Sequence, residues 1–121
     1  MMIKPMFRRL RLVCLTLVSL MLVACVDPIP PERFAYVGDW RADNMKLVIN
    51  ADGIVNYYRK QGPRETTINA PLKQFEEGGF VVGVLGFTTK FMVDVPPHQE
   101  GDDWWMQVDG VMLQRAKDIN G

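Results

Sequence analysis

Asp109-Gly110 sits at the centre of the stretch WWMQVDGVMLQR, with apolar and polar residues alternating on both sides of it. An Asp-Gly pair accepts the positive φ angles of a two-residue turn, whose twist matches that of two antiparallel strands. Around that turn Val108 faces Val111, Met106 faces Leu113 and Trp104 faces Arg115. Residues two apart point the same way, so these six side chains share one face. Trp105, Gln107, Met112 and Gln114 take the other. A lone hairpin is marginal in water and needs further strands to cover its apolar side.

The rest of the chain supplies them. NMKLVIN sets Met45, Leu47 and Ile49 against Lys46, Val48 and Asn50, the period of two that marks a half-covered strand. ADG turns the chain at Gly53 into IVNYYRK, which ends at QGP. ETTINAPLKQF is a weaker strand in which Pro71 predicts an edge position or a bulge. EEGG leads into FVVGVLG, and FTTKFMVDV aligns Phe87, Thr89, Phe91, Val93 and Val95 on one face. With YVGDW as the first strand there are about eight, joined by short turns. The pattern predicts an all-β, up-and-down antiparallel meander, closed or nearly closed into a small barrel over residues 34–121. The tail LQRAKDIN reads as coil or a single turn.

Ahead of this domain lie Lys4, Arg8, Arg9 and Arg11, then an apolar run from Leu12 to Ala24. A basic head followed by a short hydrophobic stretch is the pattern of an export signal. The run is shorter than the roughly 20 residues a membrane-crossing helix requires. VDPIPPER follows, with three prolines; a polyproline II spacer at ~3.1 Å per residue would hold the domain roughly 25 Å from its attachment point. The organisation expected is a signal peptide at 1–24, Cys25 with a proline-rich tether to residue 33, and the barrel at 34–121.

LVAC, immediately after the apolar run, resembles the bacterial lipobox. The resemblance implies cleavage before Cys25 and acylation of its thiol, so that the protein is held on a membrane by its fatty chains, each buried methylene contributing ~0.8 kcal/mol. It also implies passage to the outer membrane, because Val26 rather than aspartate follows the cysteine; retention at the inner membrane is the alternative.

Loss of residues 1–24 would leave ten basic against fourteen acidic residues, a net charge of −4. A mildly acidic domain has no electrostatic footprint for nucleic acid. With Cys14 removed and Cys25 acylated, no thiol remains and packing alone must hold the fold.

YVGDW, with Gly38 and Trp40, is similar to the Gly-x-Trp signature on the first strand of lipocalins and other calycins. The resemblance implies that Trp40 closes one end of the barrel beneath Arg115 from the last strand. The domain is much shorter than a standard lipocalin, and Trp40 is also explained as an ordinary core residue.

Residues 26–121 contain no serine, no cysteine and a single histidine, His98. Serine or cysteine nucleophiles and the common Cys/His zinc sites therefore have no donors there. No cofactor is implied. PPHQEGDDWW brings His98, Glu100, Asp102 and Asp103 close in sequence, a composition that suits a hard cation or simply a solvated loop. The adjacent pairs Glu76/Glu77 and Asp102/Asp103 sit at turns, the usual place for solvated acids. Pro96, Pro97, His98, Trp104 and Trp105 define a stiff candidate contact loop, since aromatic residues dominate binding hot spots. Tyr57 and Tyr58 are adjacent on a strand, so one of them faces outward and could join Trp105 in a patch. The expected function is that of a lipid-anchored envelope protein, a binding or accessory module without catalysis, whose partner is another envelope component. The alternatives are a lipocalin-like carrier of a small hydrophobic ligand and an inhibitor of an envelope hydrolase.

Overall fold

The computed structural model describes residues 26–117. Eight strands follow one another: β1 Gly38–Ala42, β2 Met45–Ile49, β3 Ile54–Gln61, β4 Arg64–Glu76, β5 Gly79–Val84, β6 Phe87–Glu100, β7 Asp103–Val108 and β8 Val111–Arg115. Each pairs with the next, and β1 pairs with β8, giving a closed antiparallel up-and-down barrel. The seam is Trp40 opposite Arg115 and Arg41 opposite Gln114.

Alternation decides what fills the interior. Met45, Leu47 and Ile49 of β2 are buried at 0–2 % exposure. Val55 and Tyr57 of β3, Met106 and Val108 of β7 and Leu113 of β8 join them, with Trp40, Phe80, Val82 and Phe91. The Asp109-Gly110 hairpin has the register read from the sequence, with Val108 opposite Val111 and Met106 opposite Leu113. Aromatic rings pack edge-on or tilted in a run from Tyr57 to Phe91, Phe80, Phe75 and Tyr36; Phe80 and Phe91 stack with centroids 5.2 Å apart. Such contacts add about 0.5–1.5 kcal/mol each beyond the area they bury.

Two strands change partners along their length. β4 pairs with β3 as far as Pro71, opposite Ile54, and then with β5 from Leu72 on, with a register shift between Leu72 and Gln74. Proline has no N–H to give a ladder, and Pro71 lies where the strand passes from one neighbour to the other. β6 pairs with β5 as far as Met92 and with β7 from Val93, through shifts between Val93 and Val95 and between Val95 and His98. Pro96 and Pro97 fall inside the second irregularity, where the missing donors cost no ladder bonds.

Three expectations are corrected. PPHQEGDDWW is not a loop: β6 runs through Glu100 and β7 begins at Asp103, leaving only Gly101-Asp102 as a turn. Phe87 and Thr89 do not face the core; Phe87 is 86 % exposed, because the β5–β6 hairpin runs past the packed interior. The third concerns the proline-rich segment, which is no free spacer. Ile29 is 3 % exposed within the core, and its N–H donates to Ala51 O at 3.0 Å. Pro31–Tyr36 then forms a 3-10 helix, and β1 starts at Gly38, later than YVGDW suggested. The prolines explain this. Pro31 fixes the helical φ at the first position, and the rigid chain around Ile29 loses little entropy on docking.

Candidate functional site

Gly38, Trp40 and Arg115 meet at the end of the barrel covered by the 3-10 helix. Trp40 is fully buried, and its Nε1–H donates to Tyr36 O at 2.8 Å, tying the helix to the first strand. The Arg115 guanidinium lies 5.9 Å from the Trp40 ring centre and 4.8 Å from that of Trp104. Two indoles thus flank one cation, an arrangement that stabilises by about 0.5–2 kcal/mol per pair according to desolvation. Gly38 is part of the same build. Its φ is +153°, and a Cβ there would stand 2.6 Å from Arg115 Cδ. The absence of a side chain lets the arginine stem cross the start of β1.

A second closely fitted glycine at this end is Gly53, at φ +98° in the β2–β3 turn. A Cβ there would lie 2.1 Å from Asp27 O. The strap from Asp27 to Ile29 therefore lies directly on the turn, and Leu72 N–H donates to Gly53 O at 2.7 Å from the other side. Arg33 extends along the outside of this end, with its guanidinium 5.0 Å from the Phe75 ring centre.

Along the β6–β7 hairpin the polar groups pair with near neighbours. His98 Nδ1–H donates to Pro96 O at 3.0 Å, and Nε2 lies 3.3 Å from Glu100 Oε1. Asp103 reaches Lys117 at 3.4 Å. Among the described residues no group of three or more His, Cys, Asp or Glu side chains gathers at a point where a cation could sit. The Glu76 carboxyl titrates below the usual carboxylate range because Gln74 and then Lys90 hydrogen-bond to it, the lysine at 3.2 Å. Trp104 and Trp105 diverge: Trp104 packs against the core under Arg115, whereas Trp105, opposite His98 and Gln114, looks outward. Tyr58 is the outward member of its pair, and burial followed by Glu65 pushes its phenol up. β3 and β7 are separated by three strands in either direction, so Tyr58 and Trp105 form no common patch.

An open cleft of about 1150 Å³ runs beside β1, β2 and the end of the β6–β7 hairpin, lined in part by Asp39, Arg41, Val48, Asp102 and Trp104. Asp39, Arg41 and Val48 alternate with the buried Trp40, Leu47 and Ile49, so they lie on the outer wall of the barrel. Arg41 there is held by Asp39 through two hydrogen bonds of 3.1 and 2.7 Å.

Cys25 and the segment 1–24 lie outside the described residues. Sequence reasoning missed Ile29 as a core residue and missed the apolar tip of the β5–β6 hairpin, where Leu85 is 87 % and Val84 50 % exposed beside Phe87. An isoleucine alone among prolines was the available signal for the first, and the unbroken apolar run VVGVLGF for the second. No family model, no curated protein and no solved structure matches the chain.

Proposed function

We propose that the protein is a lipid-anchored lipoprotein of the bacterial envelope, held by acyl chains on Cys25, whose calycin-like barrel serves as a non-catalytic binding or accessory module. The observation that carries the reading is the order of features along the chain. A basic, then apolar segment ends at LVAC, and the barrel's own packing begins at Ile29, four residues beyond the cysteine. The fold thus starts directly after the point at which a lipobox would be cut. Passage to the outer membrane follows from Val26 at the position after the cysteine.

A binding role by the outer surface is favoured over transport in the interior. Trp40, Phe80, Phe91, Met45 and Met106 fill the inward positions at 0–2 % exposure, which supports an interior occupied by side chains rather than by a ligand. The stacking of Arg115 on Trp40 beside Gly38 supports the calycin-like reading of the shape, not a carrier's activity. With no serine and no cysteine after position 25, the domain has no Ser–His or Cys–His nucleophile pair, which is in keeping with a binding role.

Metabolic labelling with a fatty acid, followed by membrane fractionation, tests the reading. The wild-type chain should carry label and sediment with membranes, whereas Cys25→Ala should carry none and lose the membrane association that depends on it. Label retained by Cys25→Ala would overturn the assignment. Crosslinking in intact envelopes, with Trp105→Ala and His98→Ala as comparisons, would then identify partners of the β6–β7 hairpin; an unchanged set would exclude that hairpin as the contact.

A further inference from the structure

We infer that the end of the barrel closed by the 3-10 helix is laid against the bilayer, and that the strap Asp27–Ile29 is a clamp that fixes this orientation. The inference rests on acylation of Cys25 as proposed above. It adds which face of the molecule meets lipid.

Ile29 is four residues beyond Cys25, a span of at most about 14 Å at full extension. Ile29 is buried in the core, its N–H is bonded to Ala51 O, and Asp27 O lies against Gly53. Fatty chains on Cys25 therefore pull on a packed point of the barrel, not on a flexible leash. In a meander successive turns alternate between the two ends. The β2–β3 turn that receives the strap, the β6–β7 turn and the end of β8 share one end. The β1–β2, β3–β4 and β7–β8 turns share the other, where Lys60 N–H donates to Asn44 O; the bends in β4 and β6 bring the β4–β5 turn to them, since Val93 N–H donates to Gly78 O and Met92 is bonded to Asp109. The 3-10 helix belongs to the first end, with Tyr36 against Phe75 and Phe80.

Phe34 on that helix is 53 % exposed. An aromatic ring held at the end from which the acyl chains leave is placed to enter the headgroup boundary, where such rings partition favourably. Charge is not the attractant. Asp27, Glu32, Asp52, Glu100 and Asp102 outnumber Arg33, Lys73 and Lys117 among the exposed ionic groups of this end, so the contact should form on zwitterionic lipid and be indifferent to salt. The apolar tip Val84-Leu85-Gly86-Phe87 extends past Val82, whose partner Leu72 is bonded to Gly53, so it lies on the strap side of the barrel and does not mark the far end.

The mature sequence has no thiol besides Cys25, which permits single labels. Phe34→Cys and Asn44→Cys, the latter in the exposed β1–β2 turn and each acylated at Cys25, would be labelled with an environment-sensitive dye. They would then be reconstituted in phosphatidylcholine vesicles containing a lipid with a nitroxide on its acyl chain. The dye at position 34 should lose most of its emission to the nitroxide, and the dye at position 44 should keep it. Ile29→Ser, checked for retained strand content by circular dichroism, should abolish the contrast by freeing the strap. Quenching at position 44 alone, equal quenching at both positions, or a contrast that survives Ile29→Ser would overturn the clamped orientation while leaving the vesicle-bound anchor intact. A mature protein without fatty chains on Cys25 would overturn the anchor and the orientation together.

Discussion

Trp40 does three things at once: it fills the core, it caps the 3-10 helix through Tyr36 O, and it forms one wall against Arg115. Trp40→Ala should cost about 3–5 kcal/mol, as for other large aromatic deletions. Trp40→Phe should cost about 1–3 kcal/mol, because the Tyr36 carbonyl would be left buried without a donor. Equilibrium urea unfolding separates the two. Tyr57 makes a prediction about pH. Its phenol titrates above the ordinary value of about 10, chiefly because burial disfavours the phenolate, with Arg59 opposing. A group whose pKa is raised by folding contributes stability that is complete below its unfolded pKa and is lost as pH rises through the folded one. The melting temperature should accordingly fall above pH 10, and Tyr57→Phe should flatten that alkaline fall. Thermal scans across the alkaline range check it; an unaltered slope in the variant would show that Tyr57 is not the group responsible.

At the scale of elements, the β7–β8 turn does more than reverse the chain. Asp109, at φ +48°, donates its N–H to Met92 O at 2.8 Å and accepts the Met92 N–H on Oδ1 at 2.9 Å. Gly110 N–H donates to Asp94 Oδ2 at 2.7 Å. These bonds hold the point at which β6 changes partner from β5 to β7. Asp109→Ala should lose about 1–2 kcal/mol through the left-handed backbone and the missing acceptor, whereas Asp109→Asn, which tolerates that φ and keeps an oxygen, should stay close to wild type. Denaturant midpoints of the two variants check it. This turn and its register were legible in the sequence because an Asp-Gly pair flanked by alternating apolar residues admits one pairing. The long β6 was not. Pro96-Pro97 and the charged residues after them look like a loop, and only the bulges between Val93 and His98 show how a strand carries two prolines.

For the whole molecule, all-β character and about eight strands followed from period-two alternation, whereas Arg115 beside Trp40 was implied by the resemblance of YVGDW to the Gly-x-Trp signature and not by periodicity. The strap followed from neither, because proline-rich composition indicates stiffness but not whether a stiff segment lies free or docked. One buried isoleucine decides it. Gly53→Ala should dislodge the strap, as the added methyl meets Asp27 O and the backbone sits at φ +98°. Limited proteolysis should then cut before Pro31 faster than in the parent, and equal rates would mean that the strap is held from elsewhere. Packing without crosslinks also predicts that a reductant leaves the melting temperature of the mature domain unchanged.

The anchor itself is tested most directly by the intact mass of the protein extracted from bacterial membranes. The account predicts a chain that begins at Cys25 and carries the added mass of fatty acyl groups at that residue. A chain that begins at Met1, or one with an unmodified thiol at position 25, would contradict it.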